Sequence, residues 1–130
     1  MKQIQVPVSP GELLDKITIL EIKSERMADE EQLANVRREL ALLNQTWAAS
    51  VEADATVERI HGELKRINEA LWRIEDDIRD KERLHEFDDR FIELARSVYF
   101  TNDRRAAAKK ELNTHLGSEI VEEKSYRDYS

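Results

Sequence analysis

A chain of 130 residues with 40% apolar content is enough for one domain with a modest core, and three Gly with two Pro leave few breaks for a loop-rich or all-strand fold. The balance of 21 basic against 28 acidic residues, a formal charge of -7, argues against nonspecific nucleic-acid binding, and zero cysteines exclude disulfides and thiolate metal sites. The opening MKQIQVPV lacks the apolar core of a signal peptide and no window approaches 18 consecutive apolar residues, so a cytoplasmic protein without membrane insertion is expected.

The alternation of Ile4, Val6 and Val8 predicts a short strand, which Pro7 restricts to an edge. Ser9-Pro10-Gly11-Glu12 then starts a helix: Ser9 caps it, Pro10 suits the first turn, and Glu12 stands where a capping box closes. Leu13, Ile17, Leu20 and Met27 follow one face of that helix, while Ile19 and Ile22 widen the apolar surface towards a second neighbour. Asp29 with Gln32 marks the next cap. Leu33, Val36, Leu40, Leu43 and Trp47 form the stripe of a second helix, antiparallel to the first.

Residues 49–55 are the expected loop, with Asp54 or Thr56 capping a third helix. That helix, from Thr56 to about His85–Phe87, carries Val57, Ile60, Leu64, Ile67, Leu71, Ile74 and Ile78 at 3-4 spacing and is expected to organise the whole chain. Asp88 and Asp89 open a fourth helix along Phe91, Leu94, Val98, Leu112 and Leu116, expected to run unbroken through Thr101-Asn102-Asp103 and to stop at Gly117. The prediction is an all-α antiparallel bundle of three to four long helices in one domain over residues 1–130. Its extended termini meet at one end, where they are expected to pair as a small two-stranded sheet.

Candidate chemistry lies on the polar stripe Asn68, Trp72, Glu75, Arg79 and Glu82 of the third helix, and on the fourth, where Arg105 interrupts an apolar stripe. An arginine there must meet a carboxylate, snorkel outward or bind an anion. With a turn at Phe87-Asp88, facing residue numbers of the last two helices sum to roughly 175, which puts Arg105 near Ala70 and Asn102 near Arg73. Lys16 and Lys23 of the first helix complete a possible anion pocket with Arg79 and Arg105, although Glu75–Arg79 is also an ordinary ion pair one helical turn apart. Glu58-x-x-His61 and Glu82-x-x-His85 have di-metal spacing but stand about 36 Å apart on one helix, so no metal or other cofactor is expected. No phosphate-binding loop, zincin motif or nucleophile–base arrangement is present in the sequence.

The segments SPGELLDKITIL at 9–20, NEALWRIED at 68–76 and YFTNDRR at 99–105, with Lys109 and Asn113, resemble an uncharacterised bacterial family of small helical proteins. Members of that family occur beside, or fused to, glycosyltransferases of surface-polysaccharide (lipopolysaccharide) assembly. The resemblance implies no catalytic residue. It does imply one functional surface made from the SPGE start, the Trp72–Asp76 stretch and the Asn102–Lys109 stretch; together with the helix faces read above, the candidates are Lys16, Lys23, Trp72, Glu75, Arg79, Asn102, Arg105 and Lys109. The leading expectation is a non-catalytic helical interaction or accessory module, homodimeric, with a glycosyltransferase or other protein as partner. The alternative is a small helical enzyme or anion-binding protein with a basic pocket between helices.

Overall fold

The structure is a computed structural model that describes residues 3–130; Met1 and Lys2, the first two residues of the MKQIQVPV segment, lie outside the described residues. Four helices follow in order: α1 (Pro10–Arg26), α2 (Glu30–Ser50), α3 (Ala55–Arg83) and α4 (Asp89–His115). Each begins on a side-chain cap that accepts a backbone N–H three residues on: Ser9 from Glu12, Asp29 from Gln32, Asp54 from Val57 and Asp88 from Phe91. Four capped starts satisfy donors that the helices themselves leave unpaired. As expected, α4 runs unbroken through Thr101-Asn102-Asp103, because residues 101–103 keep helical hydrogen bonding and Thr101 is buried.

The helices alternate in direction, yet α1 and not α3 is the centre. It packs against α2, α3 and α4, whereas α2 lies along α1 and reaches the core only near its end, through Trp47. The reason is visible in α1 itself: Leu14, Asp15, Ile17, Thr18, Leu20 and Ile22 are all buried, which requires neighbours on several sides of one short helix. The core forms where Leu14 meets Val57, Ile60 and Leu64 of α3 and Ala108 and Leu112 of α4. Beyond Asn68 the α3 stripe is less covered. Leu71, Ile74 and Ile78 are only half-buried, since α1 and α4 diverge there and leave a cleft beside Leu71.

The third helix stops at Arg83, earlier than expected, with Leu84 as its C-cap and His85 in the left-handed region at φ 55°. Lys81 ties this turn together through Glu86 and Asp88, each at 2.9 Å. The earlier pivot shifts the hairpin register. Glu111 meets Arg59, Asp54 meets His115 at 2.8 Å and Asp77 meets Arg90 at 3.9 Å, so α4 faces positions more than a turn earlier in α3 than expected.

The expected terminal sheet is corrected too: among the described residues no strand forms. The ends do meet, because the Gly11 N–H donates to Oδ1 of Asn113 at 2.7 Å, but side chains make the terminal contacts. The tail after Gly117 returns along α4, with Glu122 on Lys109 at 3.2 Å and Tyr129 packed at an angle on Tyr99 and edge-to-face on Phe100 and bonded to Asp103. The N-terminal Ile4, Val6 and Val8 stay exposed. No helix of the described residues is long and apolar enough to cross a membrane.

Candidate functional site

A cleft of about 560 Å³ opens where α1, α3 and α4 diverge, lined by Ile19, Ile22 and Lys23, by Asn68, Leu71, Trp72, Glu75 and Asp76, and by Val98, Asn102 and Arg105. It thus brings together five of the eight sequence candidates: Lys23, Trp72, Glu75, Asn102 and Arg105. Three others lie elsewhere. Lys16 is exposed and pairs with Glu39 of α2 at 3.1 Å, and Arg79 is exposed and bonds Glu75 at 3.1 Å without lining the cleft. Lys109 is buried between Glu12 at 2.8 Å and Glu122 at 3.2 Å. Burial pushes the Lys109 ammonium down, but hydrogen bonds to the two glutamates outweigh it and the net shift is upward, as befits a charged clamp between α1, α4 and the tail.

Behind the cleft stands a buried polar cluster. Asp15 and Thr18 face one way on α1, and Asn68 of α3, only 5% exposed, donates from Nδ2 to Oδ1 of Asp15 and to Oγ1 of Thr18, each at 2.9 Å. The Thr18 hydroxyl donates in turn to the Asp15 carbonyl at 2.7 Å. Arg105 reaches the same Asp15 oxygen with Nε at 3.6 Å, and its side chain remains 33% exposed. A nearly dry carboxylate that already has an amide donor therefore also holds the guanidinium by one edge. Among the described residues the Nη atoms of Arg105, Nζ of Lys23 and the Asn102 amide have no hydrogen-bond or ion-pair partner, and all three residues line the cleft.

Trp72 is half-buried at the cleft rim, with the Arg26 guanidinium 5.9 Å from its ring centroid. Across the floor lie Ile22, 1% exposed, with Ile19, Leu71 and Val98. The expected spare apolar positions Ile19 and Ile22 are thus used within the chain, and Tyr99 is covered in part by Tyr129. An apolar floor, one aromatic rim and a few unpaired polar groups is the composition of a ligand-binding concavity.

Sequence reasoning missed Asp15 and Thr18 as site residues and placed Arg105 near Ala70 of α3 without naming its partner. The signal was present: Asp15 lies between Leu14 and Ile17 on the most apolar helix, where a charge needs a partner. What concealed it was distance, since Asp15 and Arg105 are 90 residues apart in the chain.

The segment SPGE has a structural part in this arrangement. Gly11 approaches α4 so closely that an added Cβ would stand 2.6 Å from the Lys109 carbonyl oxygen, and Glu12 holds the Lys109 ammonium. The segment thereby seats α1 on α4 and sets Asp15, one turn later, beside Arg105. No curated protein and no solved structure matches the chain significantly. A family of unknown function, DUF6165, matches residues 4–129, nearly the whole chain, and the protein belongs to that family.

Proposed function

We propose that the protein is a non-catalytic binding module that holds an anionic group of a ligand or partner in the α1–α3–α4 cleft, as an accessory to surface-polysaccharide assembly. The observation that carries the binding role is Arg105. Its Nε is steadied by buried Asp15 while its Nη donors and the neighbouring Lys23 ammonium stand unpaired at the cleft. A guanidinium with one edge held and the other open is preorganised to meet a carboxylate or phosphate. The accessory role is supported by the resemblance of residues 9–20, 68–76 and 99–105 to proteins that accompany glycosyltransferases; a glycosyltransferase is accordingly the proposed partner.

This reading keeps the non-catalytic module of the leading expectation and takes its anion site from the alternative, without the enzyme half, because only Lys23 and Arg105 of the four expected cations line the cleft. Lys16 and Arg79 are turned to Glu39 and Glu75, and the cleft sets two cations against Glu75 and Asp76. Homodimerisation belongs to the same proposal. It is supported by the α3–α4 hairpin beyond α1, where Ile74, Ile78 and Phe91 are half-buried and Leu84, Phe87 and Ile92 are exposed.

The test is titration of the ¹⁵N-labelled chain with glucuronate, acetate and inorganic phosphate, following the Trp72 indole N–H, which a Trp72→Phe spectrum identifies. At least one anion is expected to shift that resonance, and Lys23→Gln, which breaks no ion pair, is expected to weaken binding about tenfold, roughly 1.4 kcal/mol. If none of the three anions moves the Trp72 resonance, or Lys23→Gln binds as tightly as the wild type, the cleft does not read anions.

A further inference from the structure

Asn68 is a polar side chain of the cleft whose amide orientation is dictated from behind. Its Nδ2 must face Asp15, because a carboxylate only accepts, and it must face Thr18, because that hydroxyl's proton is already given to the Asp15 carbonyl. The amide cannot flip without setting its carbonyl oxygen against the Asp15 carboxylate. Its Oδ1 receives no donor among the described residues, and since no fully buried side-chain oxygen there lacks a partner, this atom keeps access to the space that Asn68 lines. A side chain 95% withdrawn from solvent thus presents a single fixed acceptor to the cleft.

Arg105 is the neighbour of that acceptor. Nδ2 of Asn68 and Nε of Arg105 approach the same Asp15 oxygen, at 2.9 and 3.6 Å, so the amide and the guanidinium flank one atom. Their outward groups, a carbonyl oxygen and a two-pronged donor edge, fall within the span of one small ligand. An anion without a nearby donor satisfies only Arg105 and sets its own oxygens against Oδ1 of Asn68. A ligand with a carboxylate and an adjacent hydroxyl satisfies both, and the half-buried Trp72 ring beside them offers the face of a six-membered ring a stacking surface.

Resting on the anion-binding reading above, we infer that the cleft takes a hydroxylated carboxylate of the sugar-acid class, its carboxylate on the Nη atoms of Arg105 and a neighbouring hydroxyl donated to Oδ1 of Asn68. A neutral sugar leaves Arg105 unmet, and a carboxylate on a bare hydrocarbon ring leaves Asn68 unmet. The two halves of the recognition are separable on the wild-type protein.

The experiment compares glucuronate with glucose and with cyclohexanecarboxylate, the last matching the ring and the charge but lacking every hydroxyl. Binding to the full ¹⁵N-labelled chain is followed at the Trp72 indole. Glucuronate is expected to bind at least tenfold more tightly than either. Equal binding of glucuronate and cyclohexanecarboxylate, both weakened by Lys23→Gln, overturns the sugar-acid inference and leaves the anion reading standing; no shift with either carboxylate overturns the sugar-acid inference, and the anion reading falls with it when acetate and inorganic phosphate also leave Trp72 unmoved. Galacturonate and an oligogalacturonate, added to the same series, separate the two sources of this chemistry: tighter binding of the oligomer than of galacturonate supports the inference with a polymer residue as ligand, and equal binding supports it with the free acid. In Asn68→Ala the preference for glucuronate over cyclohexanecarboxylate is expected to vanish. A folded Asn68→Ala chain that keeps the preference overturns the assignment to Asn68, and if this variant does not fold, the wild-type comparison decides.

Discussion

Gly11 occupies a place where α1 touches the backbone of α4, and its lack of a Cβ is what permits the contact. An alanine there would push against the Lys109 carbonyl at 2.6 Å and Oδ1 of Asn113 at 2.9 Å, neither of which is a flexible end in the sense that a lysine tip is. Gly11→Ala is expected to cost about 1–3 kcal/mol, the range of overpacking. Gly62, inside α3, is the control: its added Cβ would meet only the mobile guanidinium of Arg66 at 3.3 Å, so Gly62→Ala is expected to stabilise by about 0.5–1 kcal/mol through helix propensity. Urea midpoints of the two variants should move in opposite directions, and a shared direction would contradict the close approach of α1 to α4.

Asp15 changes what is expected of Arg105. Because the Asp15 side chain is only 6% exposed, Arg105→Leu leaves a buried carboxylate with its amide partner alone, and stability should fall by about 1–3 kcal/mol. Adding Asp15→Asn removes the charge that Arg105 offsets. The double variant should therefore recover part of the loss, and thermal or chemical unfolding of the wild type, the two single variants and the double variant measures this coupling; strictly additive losses would mean the pair is not energetically linked. His61 supplies a pH dependence. A hydrogen bond with Glu21, at 2.9 Å, raises its pKa against the opposing effect of burial. Since folding favours its protonated form, this stabilisation is complete below about pH 6.5 and is lost as pH rises through the folded pKa. His61→Gln should flatten the stability profile between about pH 6 and 8, and an unchanged slope would remove the Glu21 contact from the account.

At the scale of elements, the 3-4 spacing of α3 identifies its buried stripe but not how far burial extends along it. Val57, Ile60 and Leu64 are sealed by α1 and α4, whereas Leu71 lines the cleft and is half-buried. Leu64→Ala is accordingly expected to cost about 2–5 kcal/mol, and Leu71→Ala less than Leu64→Ala. Denaturation midpoints in which Leu71→Ala is the more damaging would show that the stripe is covered further along α3 than the fold indicates. The caps Ser9 and Asp29 were legible because each acts within three residues, whereas Asp54 was one of two options with Thr56 and Asp88 was read with Asp89 as an acidic opening of α4. The register of α3 against α4 was less so. It depends on where the turn pivots, and the left-handed His85 that ends α3 early is not demanded by any Gly or Pro.

For the molecule as a whole, the α3–α4 hairpin tip combines exposed Leu84, Phe87 and Ile92 with the acidic stretch from Glu75 to Glu93, nine acids against four bases. Association of two such tips would hide apolar surface against like-charge repulsion, so the proposed dimer should strengthen as salt screens the charge. Light scattering at micromolar concentration is expected to give twice the monomer mass at about 0.5 M salt, and a monomer mass there would exclude this mode of association. The sequence by itself determined the helices, the caps Ser9 and Asp29, the alternating directions and that Arg105 must meet a carboxylate, snorkel outward or bind an anion, because periodicity, capping and the cost of a charge on an apolar stripe all act locally. Only the tertiary structure decided that α1 is the hub, that Asp15 answers Arg105, that Lys16, Arg79 and Lys109 leave the site, and that Asn68 turns a fixed acceptor towards the cleft. The contacts of Asp15, Asn68 and Lys109 depend on side chains about 50 to 100 residues apart meeting across helix faces, and the rotation and register that bring them together are set by packing of all the helices at once.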